Sequence, residues 1–251
     1  MIGEPQMSFV LPAYNEGAAI EAALARILAY IDARGLDAEV VVANDGSRDD
    51  TETRARGCAE RDHRVRVISH TPNRGKGYAV GRGMLEAKGV WRVFLDVDMA
   101  TPVEETDRVL PLLEAGADVV IGSRHLPESV IEVPQGALRR FMGGVFRKIA
   151  GAMLGLGVSD VTCGFKAMTG EAADGLFAVQ HEHGWAFDAE LIYVARKWGL
   201  RLCEVPVRWS DSGQTTVRPF RAAWESWQEL VRIRSRDRRG QYAAVSAVGE
   251  S

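Results

Sequence analysis

Residues 91–98 read Trp91-Arg92-Val93-Phe94-Leu95-Asp96-Val97-Asp98. Val93-Phe94-Leu95 is short, continuous and apolar, the pattern of a strand buried on both faces, and it runs directly into two carboxylates. In extended chain, residues two apart point to the same side, so Asp96 and Asp98 are expected to converge. Like charges that close resist joint ionisation unless a cation neutralises them. Hard carboxylate oxygens suit Mg²⁺ or Mn²⁺, which typically takes further oxygens from substrate phosphates. Two solvated loop carboxylates are the plainer alternative, and the buried strand just before them weighs against it.

The same arrangement recurs on both sides of this stretch. Residues 8–11, 39–43, 65–69 and 118–122 are further apolar runs rich in β-branched side chains, separated by segments of helical period. Ile20, Leu24, Ile27, Leu28 and Ile31 form one such segment, which Gly35 is placed to end. This alternation predicts βα units and a largely parallel sheet. Ligands of such sheets bind beyond the carboxyl ends of the strands. At those positions stand Pro12-Ala13-Tyr14-Asn15-Glu16, Asn44-Asp45-Gly46-Ser47, Asn73-Arg74-Gly75-Lys76-Gly77 and Asp96-Val97-Asp98. One such cluster is ordinary turn chemistry; four at successive strand ends point to a common site. Residues 47–50 resemble a helix start.

Lys76 sits between glycines, where backbone can approach an anion closely. Gly77 stands where a Walker A loop has Ser or Thr, and residues 75–83 lack the strand-to-helix setting of a dinucleotide fingerprint. Neither a P-loop NTPase nor a Rossmann dehydrogenase is supported. Beyond residue 100 the pattern is less regular: a Gly-rich amphipathic stretch at 137–157, a helix at 187–198 and a strand at 201–209. His181-Glu182-His183 lacks the partner cluster of a metal site and is expected on a surface or acceptor loop.

Composition bounds the rest. The 251 residues are 46% apolar and 26% charged, which excludes collagen-like, disulfide-scaffold and disordered chains. A net charge of −3 provides no overall field for nucleic acid, and no base-reading module is present. Cys58, Cys163 and Cys203 are dispersed and odd in number, which fits a reducing compartment. No uncharged run approaches the roughly 20 apolar residues of a spanning helix, and residues 1–7 lack an export pattern. A cytoplasmic protein is expected.

The four strand-end motifs, in that order, resemble the nucleotide-sugar half of an inverting family 2 glycosyltransferase of GT-A fold. Gly122-Ser123-Arg124, Asp160-Val161-Thr162-Cys163-Gly164-Phe165-Lys166 and Phe187-Asp188-Ala189-Glu190-Leu191 resemble the branch that glycosylates lipid phosphates. The resemblance implies an α/β GT-A domain over residues 1–239, with a nucleotide-sugar half at 7–100, an acceptor half at 101–239 ending in a basic helix, and a disordered tail at 240–251. It implies that Pro12, Ala13, Tyr14, Glu16, Asp45, Gly46, Lys76, Gly77 and Asp96 hold the nucleotide, with Asp45 reading the base. Asp98, with Asp96 beside it, would hold Mg²⁺ or Mn²⁺. Ala100 replaces a polar ligand found in some mannose-transferring members, so water or substrate must complete the shell. Together with Cys163-Gly164-Phe165-Lys166, this favours UDP-glucose as donor over GDP-mannose.

A phosphate acceptor is already anionic and needs positive charge to position it, whereas a hydroxyl needs a general base. The resemblance assigns the acceptor phosphate to Arg124 and to Arg139 or Arg140, and leaving-group stabilisation to Arg218. Asp188 occupies the place of the base in hydroxyl-using members and would orient the acceptor here. A soluble hydroxyl acceptor and an inactive nucleotide-sugar-binding protein are the alternatives. A lipid acceptor calls for membrane contact, expected to be peripheral on the inner face of a membrane. Residues 137–156 combine Leu138, Phe141, Met142, Val145, Phe146, Ile149, Met153 and Leu154 with Arg139, Arg140, Arg147 and Lys148, a pattern of either an interfacial helix or a core-facing one. Residues 218–239 add seven Arg against Glu225, Glu229 and Asp237, with Trp224 and Trp227 alongside.

Overall fold

The computed structural model describes residues 4–211 and 219–243, with side chains of 219–224 left out of the description. Seven strands form one sheet in the order β3-β2-β1-β4-β7-β5-β8. These are β1 (Met7–Ala13), β2 (Ala38–Asn44), β3 (Val65–Ser69), β4 (Trp91–Leu95), β5 (Val119–Ser123), β7 (Phe165–Thr169) and β8 (Leu202–Pro206). All neighbours are parallel except β7, which runs antiparallel to β4 and β5. A short parallel pair, β6 (Val130–Val133) and β9 (Arg208–Ser210), forms a second sheet.

Alternation along the buried strands sends successive side chains into two layers. Phe9, Leu11, Val40, Val42, Val93 and Leu95 meet Ile20, Leu24, Ile27 and Ile31 of α1 (Ile20–Arg34) and Val109 and Leu113 of α4 (Thr106–Glu114) on one face. Val10, Val41, Phe94 and Met168 meet the other layer: α3 (Lys76–Glu86), α5 (Ala137–Leu154), α6 (Gly170–Ala178), α7 (Phe187–Lys197) and α8 (Pro219–Arg238). Gly35 ends α1 at φ 61°, as its position predicts.

The helix start expected at residues 47–50 is present: Asp50 is the N-cap residue of α2 (Thr51–Arg61), and Asp49 accepts from the Thr51 and Gly17 amides. Two other sequence expectations change. The single strand expected at 201–209 divides into β8 and β9, which pair in different sheets. The tail expected to fray from residue 240 is still packed at Tyr242, which is fully buried and donates its hydroxyl to Glu190 Oε1 at 2.5 Å; the remainder of that tail lies outside the described residues. None of the described helices is long and apolar enough to cross a membrane.

Candidate active site

β1 pairs with β2 on one side and β4 on the other, so the order of connections reverses there and opens a crevice at the carboxyl ends. Asp96 and Asp98 lie at the β4 side of that crevice. They are brought together by a turn instead of the expected extended chain: the Met99 N–H donates to the Asp96 carbonyl at 3.0 Å. Met99 itself has φ 51°, a conformation uncommon for a non-glycine residue and typical of constrained functional positions. Asp98 Oδ1 accepts from the Ala100 amide at 3.0 Å. Asp96 Oδ1 meets Lys76 Nζ at 2.5 Å.

Lys76 opens α3 directly after Gly75, whose φ of 105° only glycine adopts readily. Burial works against its charge, but Asp96, Asp188 and Asp98 outweigh burial and hold its pKa above the ordinary value. Glu16, in the loop that follows β1, has its pKa raised by burial and then by Asp98 and Asp96. Glu16, Lys76, Asp96, Asp98 and Asp188 therefore share one electrostatic environment. The local excess of carboxylates fits a divalent cation held by Asp96 and Asp98. Among the described residues no group of three or more His, Cys, Asp or Glu is assembled to hold an ion alone, so phosphate or water oxygens would fill the remaining positions.

Asp45, expected to read the base, sits against the loop at 73–75. It is 2% exposed, and both oxygens are engaged within the chain. Oδ1 meets His70 Nε2 at 2.6 Å and the Arg74 amide at 2.8 Å; Oδ2 accepts from Asn73 Nδ2 at 2.7 Å and the Gly75 amide at 2.9 Å. It thereby shapes the loop that delivers Lys76. Ala13 is buried and its carbonyl accepts from the Asp45 amide, whereas Tyr14 is exposed. Gly46, at φ 67°, packs against the Asn73 amide, and Pro12 lies in β1.

The antiparallel direction of β7 carries its first residues to the same end of the sheet. Lys166, 1% exposed, donates to Asp188 Oδ1 at 2.5 Å and to the Cys163 carbonyl at 2.7 Å. Burial raises the Asp188 pKa despite the opposing pull of Lys166 and Lys76. Arg124, after β5, grips Asp160 with Nε at 2.7 Å and Nη2 at 2.8 Å. Burial pushes Asp160 up, but Arg124 brings its pKa down to about 2. Glu204 of β8 fixes this pair by accepting from the Ser159 amide and hydroxyl and from the Asp160 amide.

The other basic residues are more distant from the acidic pair in the network. Arg139 lies 3.8 Å from Asp211, and Arg140 is exposed on α5. Arg218 lies outside the described residues. Lys166 and Asp160 stand in sequence motifs but receive no role from the sequence; the available signal was a lysine inside the apolar run Phe165-Lys166-Ala167-Met168. Glu182 was also missed: it is 2% exposed, at the centre of the expected surface loop.

The family model for glycosyl transferase family 2 matches residues 8–177. The dolichyl-phosphate beta-glucosyltransferase of Drosophila melanogaster is 34% identical over 241 residues, covering 90% of this chain and 72% of that protein. That of Dictyostelium discoideum is 30% identical over 242 residues, covering 92% and 74%. Glucosyl-3-phosphoglycerate synthase from Mycobacterium tuberculosis, solved in complex with Mn²⁺, uridine diphosphate and phosphoglyceric acid, aligns with a TM-score of 0.67 at 22% identity over 97% of this chain and 80% of that one. The last likeness is one of fold.

Proposed function

The chain belongs to glycosyl transferase family 2, and we propose that it transfers glucose from UDP-glucose to a dolichyl or other polyprenyl phosphate, with inversion. The relatives named as dolichyl-phosphate beta-glucosyltransferases support the sugar and the acceptor. The observation that carries the acceptor class is the Lys166–Asp188 pair. The carboxylate placed where a hydroxyl acceptor would need a base is bonded at 2.5 Å to a buried ammonium, and a lipid phosphate needs no proton removed. The uridine nucleotide and Mn²⁺ bound by the solved neighbour support the donor and a divalent cation, Mg²⁺ or Mn²⁺.

In this reading Lys76 and the turn at 73–77 meet the donor diphosphate, Glu16 and Tyr14 face the nucleoside, and Asp45 shapes the loop. A cation held by Asp98 and Asp96 would neutralise charge on the departing diphosphate. Arg124, held by Asp160 and Thr162, offers the two N–H groups of Nη1 to the acceptor phosphate, with Arg139 or Arg140 at the rim; Asp188 orients the acceptor. The phosphate oxygen attacks the anomeric carbon as the nucleoside diphosphate leaves, so no covalent enzyme intermediate forms. Arg218 is assigned to the leaving group. The protein attaches peripherally to the inner face of a membrane through α5 and the basic α8.

Label partition tests this reading. Incubated with Mn²⁺, dolichyl phosphate and UDP-glucose labelled in the sugar, the protein should move label into the organic phase. Asp98→Ala should reduce this at least about a hundredfold. Label that moves only from GDP-mannose reverses the donor; label confined to water-soluble hydroxyl products overturns the acceptor class.

A further inference from the structure

The loop between α6 and α7 is held from both sides. Towards the crevice, the Gly77 N–H donates to the His183 carbonyl at 2.9 Å, and Gln180 Nε2 donates to the Gly77 carbonyl at 2.9 Å. A Cβ on Gly75 would stand 2.5 Å from the His183 oxygen. Gly77 lies in the first turn of α3, where N–H groups have no partner inside the helix, so this loop supplies the missing acceptor. Lys76 lies between the two glycines held in this way.

On its other side the loop is tied to the C-terminal helix. The buried Glu182 carboxylate accepts from Arg232 Nε at 3.1 Å and Nη2 at 2.7 Å, and from Arg236. Glu229 of α8 accepts from the Ala186 amide at 2.8 Å. Charge-assisted, bidentate contacts of this kind fix orientation as well as proximity.

We propose that Glu182 is a positioning residue for donor binding. By tying the α6–α7 loop to Arg232 and Arg236 of α8, it seats Gly75 and Gly77 and thereby places Lys76 against Asp96. The C-terminal helix thus sets the geometry of the donor crevice from behind. This inference rests on reading Lys76 and Asp96 as the donor site.

Glu182→Gln keeps the side-chain shape and removes its charge. Two measurements separate the possibilities: amide hydrogen exchange at Gly77, which requires no ligand, and the Kd of UDP in the presence of Mn²⁺. Gly77 is expected to exchange at least about tenfold faster, with the UDP Kd rising about three- to tenfold. Arg232→Lys, which keeps the charge but loses the bidentate grip, should move both in the same direction by less, and it carries the test if Glu182→Gln does not fold. A folded variant with lower thermal stability but unchanged Gly77 exchange overturns the proposal. Faster Gly77 exchange in a protein whose wild type binds neither UDP nor GDP keeps the tether and overturns the donor-site reading instead.

Discussion

A Cβ built on Gly164 would lie 2.0 Å from Asp96 Oδ2 and 2.6 Å from its carboxyl carbon. The glycine is required because the Asp96 side chain fills that space. Gly164→Ala should therefore turn Asp96 away from Lys76, lowering transfer at least about a hundredfold. Its urea midpoint should register no more than about 1 kcal/mol, because no core cavity opens. Near-normal transfer by this variant would show that Asp96 is free to sit elsewhere. Lys166 makes the complementary case. Lys166→Met leaves Asp188 as a buried charge without its compensating partner, a loss of about 3–5 kcal/mol, whereas adding Asp188→Leu replaces the whole pair by apolar groups and should restore most of that stability. Denaturation midpoints of the single and double variants measure the recovery; label partition should show that transfer does not return with it.

At the level of elements, α5 buries only Ala150 and Leu154. Leu138, Phe141 and Val145 form an exposed stripe, with Phe141 at 70% exposure, and Val130, Ile131 and Val133 of β6 are exposed as well. The exposed side chains lie on one face of the helix, whereas Phe146, Ile149 and Met153 pack against the core. Leu138→Asp with Phe141→Asp should weaken sedimentation with vesicles containing anionic lipid at least about tenfold, since each buried apolar side chain contributes about 1.5–3 kcal/mol, and should leave UDP binding unchanged. Vesicle binding equal to wild type would remove α5 from the membrane contact. The first half of the fold was legible because its strands stay rich in β-branched and apolar side chains despite Glu39, Arg66 and Arg92, and each leads into its own polar cluster. β7 was not, because Lys166 breaks its apolar run and is compensated only by Asp188, distant in sequence. Periodicity finds an apolar face without saying what covers it, and for Asp45 residue type could not reveal that its four partners lie within the chain.

Over the whole molecule, two sets of carboxylates oppose each other in their response to pH. Arg64 draws Asp62 down to about 2 and, against burial, Arg124 draws Asp160 down to about 2; Arg34 also lowers Asp107. A depressed folded-state pKa gives stability that is present above the unfolded value near 4 and is lost as pH falls towards 2. For the buried Asp160 this is about 2 kcal/mol. Glu190 and Glu229 are raised by burial, which outweighs the hydrogen bonds that each accepts. Their contribution is present below the unfolded value near 4.5 and is lost as pH rises through the folded values. The urea midpoint should therefore fall steeply below about pH 4; above that, Glu190 and Glu229 lower it as pH rises, while His125, His181 and His183, held below the ordinary imidazole value by burial, raise it. Glu190→Gln should raise the midpoint near neutrality relative to wild type while leaving the acid limb in place, because Asp62, Asp107 and Asp160 are untouched. A Glu190→Gln midpoint that follows the wild-type pH dependence unchanged would mean that Glu190 is solvated. In that case the packing of α8 and Tyr242 over the α6–α7 loop would not be dry enough to hold the donor crevice from behind.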